Sequence, residues 1–280
     1  MTARDLILCV MVGAGITSGS AQAAEGSQDD APWSTFVVRG GALVAVFGSD
    51  LRIDPTNGEG TSIDLENDLG FTKDETTFFI DGLWRISRRN QLQVDFVRTS
   101  RDVSNSIVTH PITIRGTTYT ANAALDAFLD TPYLSANYGF AFVATPTLEV
   151  GAMIGVTVIR FHSGVGLSAG IQGGKSVSRD LHDNVQFTVP VPLPGLFVNA
   201  KLSDRVTARG SLRYLKISIN QFGGGETEGV AGADVKLTRW FGIGGSYYYN
   251  RLSADHSGSD FLGSIIYSFA GPQVYALFAF

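Results

Sequence analysis

The sequence of 280 residues has one cysteine, few charges and no long apolar run after its amino-terminal segment. Charged residues make up 17% of the chain and apolar residues 44%. Cys9, the single cysteine, lies in that first segment, so removing the segment leaves no thiol. This excludes disulfides, thiolate metal sites and cysteine nucleophiles from the mature chain. The formal net charge of -5 argues against nucleic acid as a partner.

Further along the chain, no stretch approaches the roughly 18 continuous apolar residues that a transmembrane helix needs. A soluble protein with so little charge would show long buried runs or helical apolar stripes. Instead, apolar and polar residues alternate in one segment after another. This period of two residues is typical of β-strands with one apolar and one polar face. The predicted fold class is therefore all-β.

The first 23 residues have the features of a secretory signal peptide. Arg4 supplies a positive charge, Leu6 to Ile16 is a short apolar run, and Ala21-Gln22-Ala23 is a typical cleavage site. We expect cleavage before Ala24. Residues 1-23 are thus assigned to the signal peptide, 24-32 to a polar leader and 33-280 to one folded domain.

The clearest alternation runs from Val206 to Tyr214, where every apolar residue is followed by a polar one. Arg209 and Arg213 share the face opposite to Leu212. If lipid covers the apolar face, the arginines must point into a polar interior. Such an arrangement requires a closed barrel, because an open sheet would expose unpaired backbone groups to lipid.

Ten such segments can be counted, and their connections indicate the topology. Short turns follow the second, fourth, sixth and eighth segments, whereas long polar stretches follow the first, third and fifth. We therefore predict a transmembrane antiparallel up-and-down β-barrel of about ten strands, with eight or twelve as alternatives and both termini in the periplasm. Pro190, Pro192 and Pro194 are expected above the regular sheet, since proline cannot donate to a ladder. Gly271-Pro272 is expected to interrupt the last strand as a bulge or a turn.

The final segment, Gln273 to Phe280, resembles the carboxy-terminal signal by which outer-membrane barrels are recognised for assembly. Gln273, Phe278 and Phe280 fit that signal, while Tyr275 occupies a position where glycine is usual. The resemblance implies that the barrel assembly machinery is a partner.

Charged residues on the polar faces of the segments are predicted to line the lumen. Both signs occur in comparable numbers, which favours an internal salt-bridged network in a narrow barrel over a wide pore of single sign. The candidates are Arg39, Asp81, Arg85, Asp95, Glu149, Lys201, Arg209, Arg213, Asp234 and Lys236.

An enzymatic alternative rests on His162 and Ser163, because some outer-membrane barrels carry a catalytic Ser, His or Asp at the outer rim. Adjacent strand residues point to opposite faces, so these two cannot readily hydrogen-bond as base and nucleophile. Glycine-rich stretches such as Gly223-Gly224-Gly225 lack the strand-to-helix context of a phosphate loop. We therefore expect no enzyme, no cofactor and no metal site.

Three features together resemble the small OmpW-like barrels of Gram-negative bacteria. They are the run Tyr133 to Phe142, the turn Leu237 to Trp240, and a last strand with Gly-Pro before its aromatic end. The resemblance implies a narrow conduit or receptor for small, often apolar compounds. We predict such a channel or receptor, or a structural barrel with a closed lumen, in the cell outer membrane among lipids and lipopolysaccharide. The alternative is a lipid-modifying hydrolase similar to lipid A deacylase.

Overall fold

The computed structural model describes residues 33-54, 61-107, 112-114, 117-119, 124-168, 181-219, 221-257 and 262-280. The predicted signal peptide and polar leader lie outside these residues. Within them, no helix is long and apolar enough to cross a membrane.

The described residues form thirteen β-strands. They are β1 Phe36–Asp54, β2 Thr61–Asp64, β3 Asp74–Arg85, β4 Asn90–Ile107, β5 Ile112–Ile114, β6 Thr117–Tyr119, β7 Ala124–Ala144, β8 Leu148–Ser168, β9 Leu181–Lys201, β10 Val206–Ile219, β11 Phe222–Lys236, β12 Phe241–Ser257 and β13 Leu262–Ala279.

Ten of these strands form a closed antiparallel wall in the order β1, β3, β4, β7, β8, β9, β10, β11, β12, β13, with β13 pairing back to β1. The closing pair extends from Val37↔Ala279 to Asp54↔Leu262. Closure removes both sheet edges, as a membrane requires. β2 extends the sheet beside the upper part of β1, and β5 and β6 form a separate hairpin. The predicted all-β barrel of ten strands is confirmed.

The outer face of the wall is apolar around the barrel. On β7, for example, Leu134 and Phe140 are exposed, whereas Tyr133 and Asn137 are buried on the inner face. Exposed apolar residues recur in this alternation on the other wall strands, which is the pattern of the apolar band of outer-membrane barrels. In water such a surface would be an aggregation hazard, so lipid is its natural surrounding.

Four short turns lie at one end of the barrel. They connect β3 to β4, β7 to β8, β9 to β10 and β11 to β12. Aromatic rings cluster at this end: Phe36 stacks on Trp84 at 5.7 Å and Trp240 on Phe278 at 6.0 Å between ring centroids. Short turns with an aromatic girdle are typical of the periplasmic end, so the opposite end is the external end. The long connections after β1, β4 and β8 lie there, together with the short one between Ile219 of β10 and Phe222 of β11.

The structure corrects two expectations about proline. β9 does not begin below the prolines: it runs through Pro190, Pro192 and Pro194, which pair with Val158, Val156 and Ile154 of β8. In all three prolines the backbone nitrogen, which lacks a hydrogen, points away from β8. The ladder between β8 and β9 therefore remains intact.

The last strand is also continuous. The register between β1 and β13 is the same on both sides of Gly271-Pro272, with Leu43↔Gln273 below and Val46↔Ala270 above, so neither a bulge nor a turn is present. A Cβ at position 271 would overlap the carbonyl of Val44. Glycine is therefore required for the close backbone approach.

Side chains fill the lumen of the barrel. An apolar cluster that includes Phe47, Ile159, Leu193 and Phe269 occupies the external half. Most of the charged and amide side chains that face the lumen lie nearer the periplasmic end. These two zones are the setting for the candidate site.

Candidate functional site: a closed lumen and an unpaired seam in the wall

All ten charged residues predicted to line the lumen lie on its inner side, where they form connected clusters. The central cluster is built around Arg39, which is buried between two carboxylates. Its Nη1 lies 2.5 Å from Asp81 and its Nη2 lies 2.8 Å from Asp234. Tyr275 donates its hydroxyl to Asp234 at 2.8 Å, and the Arg209 Nε in turn donates to the Tyr275 oxygen at 3.3 Å. Tyr275, at the position where glycine is usual, is thus part of this network.

A second cluster continues this network toward the external end. Arg213 pairs with Glu228 and, at 3.3 Å, with Asp95. The Gln93 amide donates to Asp81 at 3.0 Å and to Asp95 at 2.8 Å, and so joins the two clusters. The cross-lumen contacts therefore connect β3 and β4 to β10 and β11.

The periplasmic mouth is covered by a third cluster. Arg85 binds Glu149 through two contacts of 3.0 Å, and its guanidinium lies 5.1 Å from the ring centroid of Trp33. The ammonium of Lys201 lies 4.9 Å from the same ring. Lys236 donates to the hydroxyl of Ser34 at 3.1 Å. Residues that precede β1 are thereby held across the mouth.

The space between these clusters is small. Two cavities, of about 40 and 30 Å³, share Gln93, Arg209 and Val230 in their linings. Each could hold a few water molecules but not an organic solute. In the described part of the chain, the lumen is therefore closed along its axis.

Toward the external end, Arg101 forms the centre of a plug that sequence reasoning missed. Its guanidinium lies 4.3 Å from the ring centroid of Phe47, 5.5 Å from that of Phe71 and 5.3 Å from that of Tyr267. Its Nη1 lies 2.5 Å from the Glu66 carboxylate. Glu66 and Phe71 belong to the segment after β2, so the first external segment closes the lumen. We call these five residues the external plug.

Arg101 could have been found from the sequence by strand parity. Both residues have odd numbers on the same strand, and side chains at alternate positions point to the same face, so Arg101 points inward like Asp95. The prediction named no inward residue of this strand beyond Asp95 and therefore omitted Arg101.

The described pairing of the wall stops short between β3 and β4, above Phe79↔Val97, and between β9 and β10. The ladder between β9 and β10 ends at Gly195↔Arg213, although β10 continues to Ile219 and β9 extends back to Leu181. The Lys201 N–H donates to the Thr147 carbonyl on the β8 side. Because backbone groups of alternate residues in an antiparallel strand point to opposite neighbours, the backbone N–H and C=O groups of odd-numbered β9 residues point toward β8. The backbone N–H and C=O groups of its even-numbered residues must then point toward β10.

Pro190, Pro192 and Pro194 occupy three successive even positions of β9 beyond the last pair with β10. Proline has no N–H, so each position that would donate to β10 lacks a donor. We call the stretch where these prolines face residues 214-218 of β10 the proline seam.

The proline seam lies between two apolar environments. On the outside, the prolines lie beside Ile154 and Val156, which are exposed in the apolar band. On the inside, Val191 and Leu193 are buried in the apolar cluster, and Leu215 packs against it. Unpaired backbone groups are costly in lipid, so the proline seam is a weak line in the described wall.

The predicted assembly-signal residues lie at the closing pair. Gln273 is buried and accepts a hydrogen bond of 2.7 Å from Ser246. Phe278 faces outward against Trp240, and the N–H of Phe280 donates to Phe36 at 2.9 Å. Each therefore stabilises the strand that closes the barrel.

His162, the candidate for rim catalysis, packs edge-on against Phe128 with ring centroids 5.0 Å apart. Asp130 pairs with it across the strands, but both oxygens of that carboxylate bind Arg98 at 3.0 Å. Among the described residues, no hydroxyl is hydrogen-bonded to His162. Within the described ranges, His162 thus contacts an aromatic ring and not a hydroxyl nucleophile.

No family model and no curated protein matches this sequence. Solved structures do match in fold. The outer-membrane protease OmpT from Escherichia coli is 10% identical over 88% of this chain and 96% of that chain, with a TM-score of 0.57. The translocator domain of the autotransporter NalP from Neisseria meningitidis is 12% identical over 87% and 88%, with a TM-score of 0.44.

Only the first of these superposes closely enough to support an argument, and at its low identity that argument concerns fold alone. The closed wall and its apolar band define an outer-membrane β-barrel of the type found in Gram-negative bacteria. The narrower resemblance to OmpW-like barrels stays a prediction.

Proposed function

We propose that this barrel binds and conducts small apolar solutes laterally through the proline seam, while its lumen stays closed along the axis. The observation that carries the proposal is the end of the β9–β10 ladder at Gly195↔Arg213, beside the apolar cluster. A solute dissolved in the outer leaflet would meet this line in the wall directly.

The energetic comparison favours the lateral route. An axial path requires separating buried pairs such as Arg39–Asp234, and leaving one such charge without its partner costs about 3–5 kcal/mol. Opening the seam breaks no ladder hydrogen bond above Gly195. Apolar side chains such as Leu193 can be replaced by an apolar solute without exposing charge.

The proposal includes a non-enzymatic role without a cofactor. It is supported by the surroundings of His162, where the neighbouring Asp130 is occupied by Arg98. We further propose that the chain is exported with cleavage of residues 1-23, assembled through its last strand by the barrel machinery, and located in the Gram-negative outer membrane.

The test restores the missing donors. The triple variant Pro190→Val, Pro192→Val, Pro194→Val keeps the outer face apolar and gives β9 three N–H groups toward β10. Pro132→Val is the matched control, because Pro132 of β7 pairs with Arg98 of β4 and the β7–β8 ladder is formed on both sides of it. Cells that produce equal amounts of heat-modifiable barrel are compared for uptake of N-phenylnaphthylamine.

We expect the triple variant to slow uptake several-fold, toward the rate of cells without the protein, and the Pro132 variant to match the wild type. Uptake by the triple variant at the wild-type rate would contradict the lateral route.

A further inference from the structure

Lys216 of β10 and Arg251 of β12 are exposed on the outer face, where the apolar band ends toward the external side. β11 lies between them. Arg251 pairs with Thr227, and Thr227 pairs with Tyr214, the residue two positions below Lys216. The two cations thus flank one strand, with strand axes about 10 Å apart, and have a threonine between them.

Neither cation has a carboxylate partner among the described residues. Glu226 and Glu228 of β11 are buried and point to the lumen. Asp255 is the closest outward carboxylate along β12, and it follows Arg251 by two outward positions. Arg98, on the opposite side of the barrel, differs in that Asp130 neutralises it through two contacts of 3.0 Å.

An apolar furrow runs below the two cations. The outward positions of β11 under Thr227 are small: Gly229, Ala231 and Ala233. Exposed tyrosines lie at the upper end of the furrow: Tyr214 of β10 pairs with Thr227, and Tyr249 of β12 pairs with Gly229. Tyrosine is typical of the level where lipid headgroups begin.

The furrow continues into a wider groove toward the closing strands. This groove has a volume of about 720 Å³, and Ala233, Gly245, Val274 and Ala276 are among its lining residues. Its small apolar residues leave room for a hydrocarbon chain alongside the wall.

We propose that Lys216, Thr227 and Arg251 form a binding site for the phosphate groups of lipid A in lipopolysaccharide, with an acyl chain in the furrow along β11. Two cations and a hydroxyl donor match an anionic phosphate through charge-assisted hydrogen bonds. The site lies at headgroup level on the external end, where lipopolysaccharide forms the membrane leaflet. This inference does not rest on the proline seam or on any transport function.

The experiment compares lipid binding by refolded barrels in detergent. The double variant Lys216→Gln, Arg251→Gln removes both cations. Its control, Arg205→Gln with Arg239→Gln, makes the same change in charge at exposed periplasmic turns. Each protein is titrated with lipid A and with lipid A from which both phosphates have been removed.

We expect the double variant to bind lipid A roughly tenfold more weakly, with wild-type affinity for the dephosphorylated lipid. The control should match the wild type for both ligands. Equal lipid A affinity of the double variant and the wild type would overturn the site, as would a wild type that does not distinguish the two lipids.

A second variant tests the furrow without changing charge. Ala231→Phe places a ring where the acyl chain would lie and should weaken binding of both lipids several-fold. Unchanged binding by this variant would contradict the placement of the chain. Heat-modifiable migration of each variant establishes that the barrel is folded, so a loss of affinity is assigned to the site.

Discussion

Arg101 Nη1 lies 2.5 Å from Glu66 Oε1, so the first external segment is held against the inner wall of β4 by a buried ion pair. The side chain of Arg101 is fully enclosed, and Phe47 and Phe71 cover its guanidinium. The lumen is therefore closed externally by the chain's own loop.

Glu66→Ala is expected to release this segment. Removal of the carboxylate leaves Arg101 buried without its counter-ion, at a cost of about 3–5 kcal/mol. Amide exchange across residues 62-73 should accelerate while the barrel wall keeps its protection. Asp74→Ala, an exposed acidic residue near the same segment, is the control and should leave exchange unchanged. Equal exchange in Glu66→Ala and wild type would show that the pair does not hold the plug.

The central network predicts an asymmetry between two ion pairs. Asp234→Ala removes a partner of buried Arg39 and should lower the free energy of unfolding by about 3–5 kcal/mol. Asp130→Ala removes the partner of Arg98, whose side chain is 60% exposed, and should lower it far less, because solvent screens an exposed ion pair. Urea unfolding of the refolded barrel measures both. Similar losses would contradict the distinction between lumen and outer face.

The inward position of these charges could be predicted from the sequence, whereas their partners could not. A period of two residues assigns Arg39 and Asp234 to the polar faces of their strands. The pair they form spans 195 residues of sequence and crosses the lumen, so it depends on barrel radius and strand tilt. Neither quantity follows from a single segment. The role of Tyr275 was missed for the same reason.

The predicted location of Pro190 to Pro194 was wrong, although the rule behind it is correct. Proline removes one donor, which suggested that Pro190 to Pro194 lie above the sheet. In an antiparallel strand, however, alternate residues bond to opposite neighbours. All three prolines face β10, so β9 keeps its full ladder with β8 and loses only one side. Whether a proline faces β8 or β10 depends on whether its position is odd or even in the register with each neighbour. That register cannot be read from the sequence of one strand.

The proline seam predicts a period of two residues in amide exchange along β10. The N–H groups of Tyr214, Lys216 and Ser218 face the seam and should exchange fast. Those of Leu215 and Ile217 face β11, with which they pair, and should exchange slowly. The even-numbered amides between Val206 and Leu212 provide an internal control, since they face the intact part of β9. Uniform protection from 213 to 218 would show that the seam is closed.

The turn after β2 predicts an acid-sensitive local structure. The Asp64 carboxylate accepts N–H bonds from Glu66 at 3.0 Å and Asn67 at 2.9 Å. Partial burial acts to raise the pKa of Asp64, but these donors outweigh it and leave the pKa below its ordinary value. The stabilisation is therefore present above the unfolded-state pKa and is lost as the pH falls through the lower folded-state pKa.

An NMR titration of the Asn67 amide measures this step. We expect its chemical shift to change only at a pH below the ordinary range of aspartate, and Asp64→Asn to abolish the step. A midpoint at or above the ordinary value would contradict the role of the two donors.

Conductance separates the axial from the lateral route. The wild-type barrel should show no steady current in planar bilayers, because the external plug and the Arg213 pairs with Glu228 and Asp95 each close the lumen. Glu66→Ala alone and Arg213→Ala alone each leave the other closure in place, so each should remain non-conducting. The combined variant removes both, but it keeps the Arg39 cluster and the cover of the periplasmic mouth by Arg85 and Trp33, so it should also remain non-conducting. A steady current through the wild type would show that ions pass along the axis, and the clusters described above could not then be a seal.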